Sequence, residues 1–227
     1  MKTITFLLAL LSVQLCSAQI SQKRIFPVGT FHQKNVAITG ISAGVASGFS
    51  EADRNITTNG LRLELIGLGL LLPLAPNSPI KEDESLERTV DLDFTEKING
   101  LNISGSGTVC DDCIVNGLTI GAIGQYLYAA NGVTISIVGT IVKKQNGVQL
   151  AIFNDAHSGR GVQIGVGNYA VDFKGVQLGI LGNSTEKSRG VQVGLFNKSK
   201  NLKGVQLGLW NKNQRRGFPL INWAFKE

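Results

Sequence analysis

Histidine is nearly missing from this sequence. The two that occur, His32 and His157, are far apart. A histidine-centred triad or metal site needs oriented partners, and no spacing here supplies them. Both are expected as surface residues in turns. There is no GxxxxGKS, HExxH or GxSxG, and the glycine-rich segments 40–48 and 60–69 lack the strand–GxGxxG–helix context of a nucleotide site. The expectation is no enzyme, no cofactor and no metal. Aromatics are also scarce, at 7%. A compact globule of this length uses more bulky core residues, whereas a stack of thin layers needs fewer. Long apolar runs are missing after the N-terminus. The most apolar stretch, 63–74, is interrupted by Glu64, Gly67, Gly69 and Pro73.

The start does have one short apolar run. Met1-Lys2-Thr3 precedes Ile4 to Leu15, then Cys16-Ser17-Ala18. One charge, a short apolar stretch and small residues make a secretory signal, too short for the roughly 20 residues of a membrane span. Cleavage after Ala18 is favoured over a lipoprotein reading at Cys16, because Leu15 occupies the place where a lipobox needs a small residue. This predicts a signal peptide at 1–18 and an exported protein of the periplasm, outer-membrane surface or extracellular space. Residues 19–227 form a single repeat domain with an acidic loop insertion at 73–97, which carries Lys81-Glu82-Asp83-Glu84-Ser85 behind Pro76 and Pro79.

Without Cys16, Cys110 and Cys113 remain. An even pair in an exported chain reads as a disulfide. Asp111 and Asp112 between them disfavour a reactive thiolate, and zinc would need two further ligands.

What the sequence has in quantity is glycine, 28 residues, and much of it is periodic. Glycine-led units begin at 100, 117, 132, 147, 161, 175, 190 and 204, for example GVQLAIFN, GVQIGVGN, GVQVGLFN and GVQLGLWN. GFPLINW at 217 closes the series, and a fainter copy, GLRLELIG, starts at Gly60. Apolar residues follow the glycine at the first, third and fifth places, as in Val148, Leu150 and Ile152. Period two with branched residues predicts strands with that apolar face buried. Between them stand Gln149, Gln163, Gln177, Gln192 and Gln206, then a small residue. Each strand is expected to end at Asn154, Asn168, Asn183, Asn197 or Asn211 in left-handed turn geometry. Asn-Gly pairs at 59, 99, 116, 131 and 146 suit tight turns.

Two architectures fit. The first is an all-β solenoid of 14–15-residue repeats, about ten coils rising about 4.8 Å each, with stacked Gln and Asn files. The second is an antiparallel β-meander or small β-barrel, with Leu127–Ala130, Asn131-Gly132 and Val133–Ile137 as a hairpin. Pro219 takes the Gln place in the last unit, suiting an edge that must not recruit another chain.

The GhQhGhhN units, with h apolar, resemble those of bacterial exported surface-repeat proteins, over residues 99–223 and more weakly over 35–75. The resemblance implies a surface or envelope location and leaves activity open. Asn102, Thr119 and Thr134 depart from the pattern at the Gln place.

Charge is split along the chain. Residues 19–142 hold 8 Lys+Arg and 12 Asp+Glu, whereas residues 143–227 hold 13 and 4. In the later units a base precedes the glycine: Arg160, Lys174, Arg189, Lys203 and Arg216. In a solenoid these form a cation file about 5 Å apart, a candidate site for anionic polysaccharide or lipopolysaccharide. Sequence-specific nucleic acid recognition is not expected. Phe153, Leu181, Phe196 and Trp210 form a second row, expected to pack beneath the turns. The expected function is a non-catalytic envelope scaffold; the alternative is an outer-membrane-associated barrel.

Overall fold

A computed structural model describes residues 22–47, 54–74, 78, 80 and 95–225. The expected signal peptide and residues 75–77, 79 and 81–94 of the acidic insertion lie outside them. At the insertion's edges, Pro73 sits in a 3-10 segment, Leu68–Leu74, while Glu96 and Lys97 already belong to a strand.

The chain is a β-solenoid of parallel coils. After the short strands β1 (Lys23–Ile25) and β2 (Val28–Gly29) come β3 (Val36–Gly44), β4 (Ile56–Glu64), β5 (Glu96–Ser104), β6 (Val109–Gly121), β7 (Gly124–Ser136) and β8 (Gly139–Leu150). Then β9 (Phe153–Lys212) winds through several coils, and β10 (Gly217–Ala224) closes the stack. Each coil from β3 to β9 pairs in parallel with the next, glycine on glycine: Gly40, Gly60, Gly100, Gly117, Gly132, Gly147 and Gly161. The meander and barrel alternative is therefore overturned. The expected hairpin does not form either, since residues 124–136 run as one strand, β7, parallel to both neighbours.

These glycines keep the register. Gly175 has φ 142°, and a Cβ there would lie 2.0 Å from the Gly161 carbonyl oxygen. A side chain would force the coils apart. The positive φ bends a continuing parallel strand and does not close a hairpin.

The alternation is the reverse of the expected one. From the glycine to its fourth successor, each coil contributes a strand to what we term the front sheet. Its inward file is polar throughout: Ser42, Arg62, Asn102, Thr119 and Thr134, then the five glutamines, all buried. The apolar residues at the first and third places face out. An apolar strand face normally turns inward because burial is worth about 25 cal/mol per Å2. Here the interior is narrow, and an amide one coil away satisfies each amide. Gln163 Nε2 donates to Gln149 Oε1 at 2.7 Å, Gln177 to Gln163 at 2.7 Å, Gln192 to Gln177 at 2.9 Å and Gln206 to Gln192 at 2.8 Å. Buried amides without such partners would cost more than the ladder contributes.

The strand-ending asparagines form a second buried ladder and have no left-handed turn geometry. Asn154 donates to Asn168, Asn168 to Asn183, Asn183 to Asn197 and Asn197 to Asn211, at 2.7–2.9 Å. The spare N–H of Asn154 reaches the Ile164 carbonyl at 2.8 Å. The glutamine ladder donates toward the N-terminus and the asparagine ladder toward the C-terminus.

Opposite the front sheet the interior is apolar in the early coils, with Ile98, Cys110, Cys113, Val115, Leu127 and Val142 in one cluster. It shrinks to Ala156 and Ala170 beside Phe173, and then to Thr185 and Ser199 with Leu202.

The last unit corrects a further expectation. β10 turns back and pairs antiparallel with β9, placing Asn222 opposite Gln206. Asn222, not Pro219, continues the ladder, donating to Gln206 Oε1 at 3.3 Å. Pro219 falls at the irregularity between Phe218 and Leu220.

Candidate functional surface

The outward side of the front sheet carries two apolar files along the coils. Ile41, Leu61, Leu101, Leu118, Val133, Val148 and Val162 make one, and Ala43, Leu63, Ile103, Ile120, Ile135, Leu150 and Ile164 the other. Leu178, Val193 and Leu207 continue the second file, each still 36–38% exposed. Beyond a floor of small residues at Ala151, Gly165, Gly179, Gly194 and Gly208, the fifth place adds Ile152, Ile180, Leu195 and Leu209. In the later coils, from Ser136 onward, the third- and fifth-place residues and this floor bound a shallow trough of about 900 Å3.

Phe153, Leu181, Phe196 and Trp210 follow at the turn. They were expected beneath it, but they are 50–59% exposed. After Phe153, Phe196 and Trp210 the next residue, Asn154, Asn197 or Asn211, comes inward, so its predecessor points out; after Leu181 one glycine intervenes before the buried Asn183. The same corner carries the 3-10 excursion. Leu65 N bonds Gly44 O at 3.0 Å and Gly69 N bonds Gly107 O at 2.8 Å, and Leu70, Leu71 and Leu74 are exposed by 54%, 54% and 76%.

Comparison with family models, curated proteins and solved structures finds no match.

The opposite margin of the front sheet is the glycine corner. In the early coils it carries an asparagine ladder on the outside. Asn99 donates to Asn59, Asn116 to Asn99, Asn131 to Asn116 and Asn146 to Asn131, all at 2.8–2.9 Å. Asn146 is in register with Arg160, and stacking of the glycines that follow places Lys174, Arg189 and Lys203 in the same file. All four cations are exposed. Arg189 makes an ion pair with Asp172 at 3.6 Å, with both side chains well exposed, so the pair stabilises little.

Arg216 does not belong to this file. It lies in the turn before the reversed β10, where its Nε donates to Asn222 Oδ1 at 3.1 Å and its guanidinium sits 4.7 Å from the Trp223 ring centre. Spacing alone could not show that the last strand changes direction.

Cys110 and Cys113 are joined by a disulfide, Cα–Cα 5.3 Å, at the irregularity within β6 where it departs from register with β7. The coordination group Cys110, Asp112 and Cys113 has both sulfurs committed to that bond. His32 is exposed and accepts a hydrogen bond from Val45 N at 3.0 Å. His157 lies half-buried in β9 rather than in a turn. Asn102, Asn183 and Asn197 are buried among the interior polar side chains.

A charged cluster inside the early coils was not read from sequence. Arg62 occupies the Gln place and is fully buried. Its Nε donates to Glu96 Oε1 at 2.6 Å, a nitrogen lies 3.6 Å from Glu64, and the guanidinium stacks 3.9 Å from the Phe31 ring centre. Arg54 reaches Glu96 at 3.4 Å. Burial alone would push the Glu64 carboxyl up. Arg62 and hydrogen bonds from the Ser47, Ser104 and Thr108 side chains outweigh it and hold the pKa below the ordinary value. This cluster is closed to solvent and fully engaged, so its role is structural. Arg62 standing in the Gln place was the only sequence signal; Glu96, a further 34 residues along, could not be paired with it.

Proposed function

We propose that this protein is a non-catalytic scaffold of the bacterial envelope, exported from the cytoplasm, whose glycine corner binds an anionic envelope polymer such as lipopolysaccharide or acidic polysaccharide. The observation that carries the reading is the file Arg160, Lys174, Arg189 and Lys203. Register sets these cations about one coil apart, near 4.8 Å. That is closer than the Debye length of about 8 Å at physiological salt, so they repel one another, and a polyanion laid along the file relieves the repulsion. The apolar N-terminal run, the repeat's resemblance to exported surface proteins and the disulfide, which suits an oxidising compartment, support the location. No helix among the described residues is long and apolar enough to cross a membrane.

The test is retention on heparin and on immobilised lipopolysaccharide across a salt gradient. The parent chain should be retained, with affinity falling steeply as salt rises. Lys174→Glu, Arg189→Glu and Lys203→Glu together should abolish retention without changing the circular dichroism spectrum. Retention unchanged by the triple reversal removes the reading.

A further inference from the structure

An envelope scaffold bearing only a polymer-binding corner has no need of an apolar front sheet. At about 4.8 Å per coil and 3.3 Å per residue, the ten glycine-led coils present roughly 45 by 13 Å of apolar surface. That is on the order of 600 Å2, the upper end of what a soluble monomer leaves uncovered. We propose that this face lies on the surface of an anionic lipid bilayer, so that the protein is a peripheral membrane protein held in the plane of the interface. The inference rests on the envelope reading, because it needs the protein to meet such a bilayer.

The lateral order of chemistry argues for lipid as the occupant. The centre of the face is aliphatic, as at Leu178 and Leu195. Next comes the exposed row containing Phe196 and Trp210, which suits the depth where ring side chains concentrate in membranes. Cations stand outside both margins: Lys198 and Lys212 beyond the aromatic row, and the Arg160–Lys203 file along the glycine corner, all exposed. An apolar centre, an aromatic margin and a basic flank match the gradient from acyl chain to glycerol to phosphate, and anionic headgroups complement the flanking charge.

A second observation falls on the same edge. The excursion at Leu68–Leu74 leaves the coil at the aromatic corner, shown by its backbone bonds to Gly44 and Gly107, and exposes three leucines there. A protein that met only water would gain nothing from leucines added to an already apolar margin. At a bilayer they deepen the anchored edge. The rigid interior supports this arrangement: because the amide ladders hold the coils together from inside, the front face does not have to turn inward for the fold to form.

Flotation of the full chain with vesicles tests the inference. With equal parts phosphatidylglycerol and phosphatidylcholine, the parent chain should float. Ile180→Ser with Leu209→Ser, both at exposed places that leave the ladders untouched, should lower binding roughly tenfold. Heparin retention of that variant should not change. Lys174→Glu with Lys203→Glu should lower vesicle binding about fivefold per residue. In a Trp223→Phe background, Trp210 emission should shift to the blue on binding. The inference is overturned by a parent chain that stays with the unbound fraction, or by vesicle binding indifferent to the two serines. It is also overturned by a parent dimer that the two serines dissociate, since a second copy would then cover the face. In each of those cases continued heparin retention leaves the polymer-binding function standing. Vesicle binding unchanged in the charge-reversed chain also overturns the inference, since the flanking cations would then not meet anionic headgroups; loss of heparin retention in that same chain would leave the polymer-binding function standing.

Discussion

The early coils, up to β8, and the later ones, wound through β9, share one backbone repeat but are filled differently. The early interior combines an apolar cluster around Ile98, Leu127 and Val142 with a buried ionic knot at Arg62. The later interior relies on two amide ladders with alanine, serine and threonine between them, and few large apolar side chains beyond Phe173 and Leu202. At the glycine corner the relation shifts again, from hydrogen-bonded asparagines to cations. The coil therefore asks for register more than for any one chemistry. A side chain fits inside if its neighbours one coil up and down complete it, whether by contact, by charge or by hydrogen bond.

The strongest way to break the comparison is at the knot. Glu96→Gln leaves Arg62 buried beside a neutral amide, and Arg62→Met leaves Glu64 and Glu96 without their shared cation. Removing one partner of a buried pair costs about 3–5 kcal/mol, so either change should move the urea midpoint far down. A loss of less than about 1 kcal/mol would mean that the knot contributes little to the stability of the early coils. Next in size is a matched pair of truncations. Ile98→Ala removes apolar contacts in the early core and should cost about 2–4 kcal/mol. Gln177→Ala strips the Gln163 Oε1 of its donor and takes away the acceptor of Gln192 Nε2. Orphaned buried groups cost about 1–3 kcal/mol, so the ladder variant should lose stability although little apolar surface is removed. Equal urea midpoints for Gln177→Ala and the parent chain would show that the ladder contributes nothing net.

Acid separates the two halves more gently. The Glu64 pKa is depressed, so its stabilising contribution is present above the unfolded value, 4.5, and is lost as pH falls below that through the folded value. Arg62, Ser47, Ser104 and Thr108 all face this carboxyl. Stability should fall below about pH 4.5, and the loss should be smaller in Glu64→Gln, which no longer titrates there. Amide exchange measured coil by coil should place the opening in the early coils, since the amide ladders carry no charge in this range. Opening that begins in the later coils would contradict this division.

The period and the parallel stack were legible in the sequence because glycine, and the small residue four places on, are demanded by backbone contact between coils. The inside and outside of the front sheet were not. Alternation separates two sets of residues without saying which faces in, and apolar transfer energy pointed the wrong way for Val148, Leu150 and Ile152. The telling signal was identity: Gln149, Gln163, Gln177, Gln192 and Gln206 are the same amide each time, whereas a solvent face tolerates any polar residue. The four stacked cations were legible as a file, but Arg216 required knowing that β10 reverses. The exposed row at Phe153, Phe196 and Trp210 was visible as a row, but its outward direction followed only once Asn154, Asn197 and Asn211 were known to point inward.

The smallest effect sharpens the contrast at the glycine corner. Asn131 and Asn146 are exposed and lack positive φ, so nothing in their backbone demands asparagine. Asn131→Lys with Asn146→Lys removes exposed hydrogen bonds, each worth about 0.5–1 kcal/mol at most, and extends the cation file by two coils. Stability should fall by about 2 kcal/mol at most, while elution from heparin should move to higher salt. If the corner binds polyanions through its regular spacing, lysines placed in register should raise retention more than two lysines placed away from the file, at the exposed Ser158 and the half-buried Ser184. Equal retention of the two variants would mean that net charge alone governs binding and that the file's spacing has no special role.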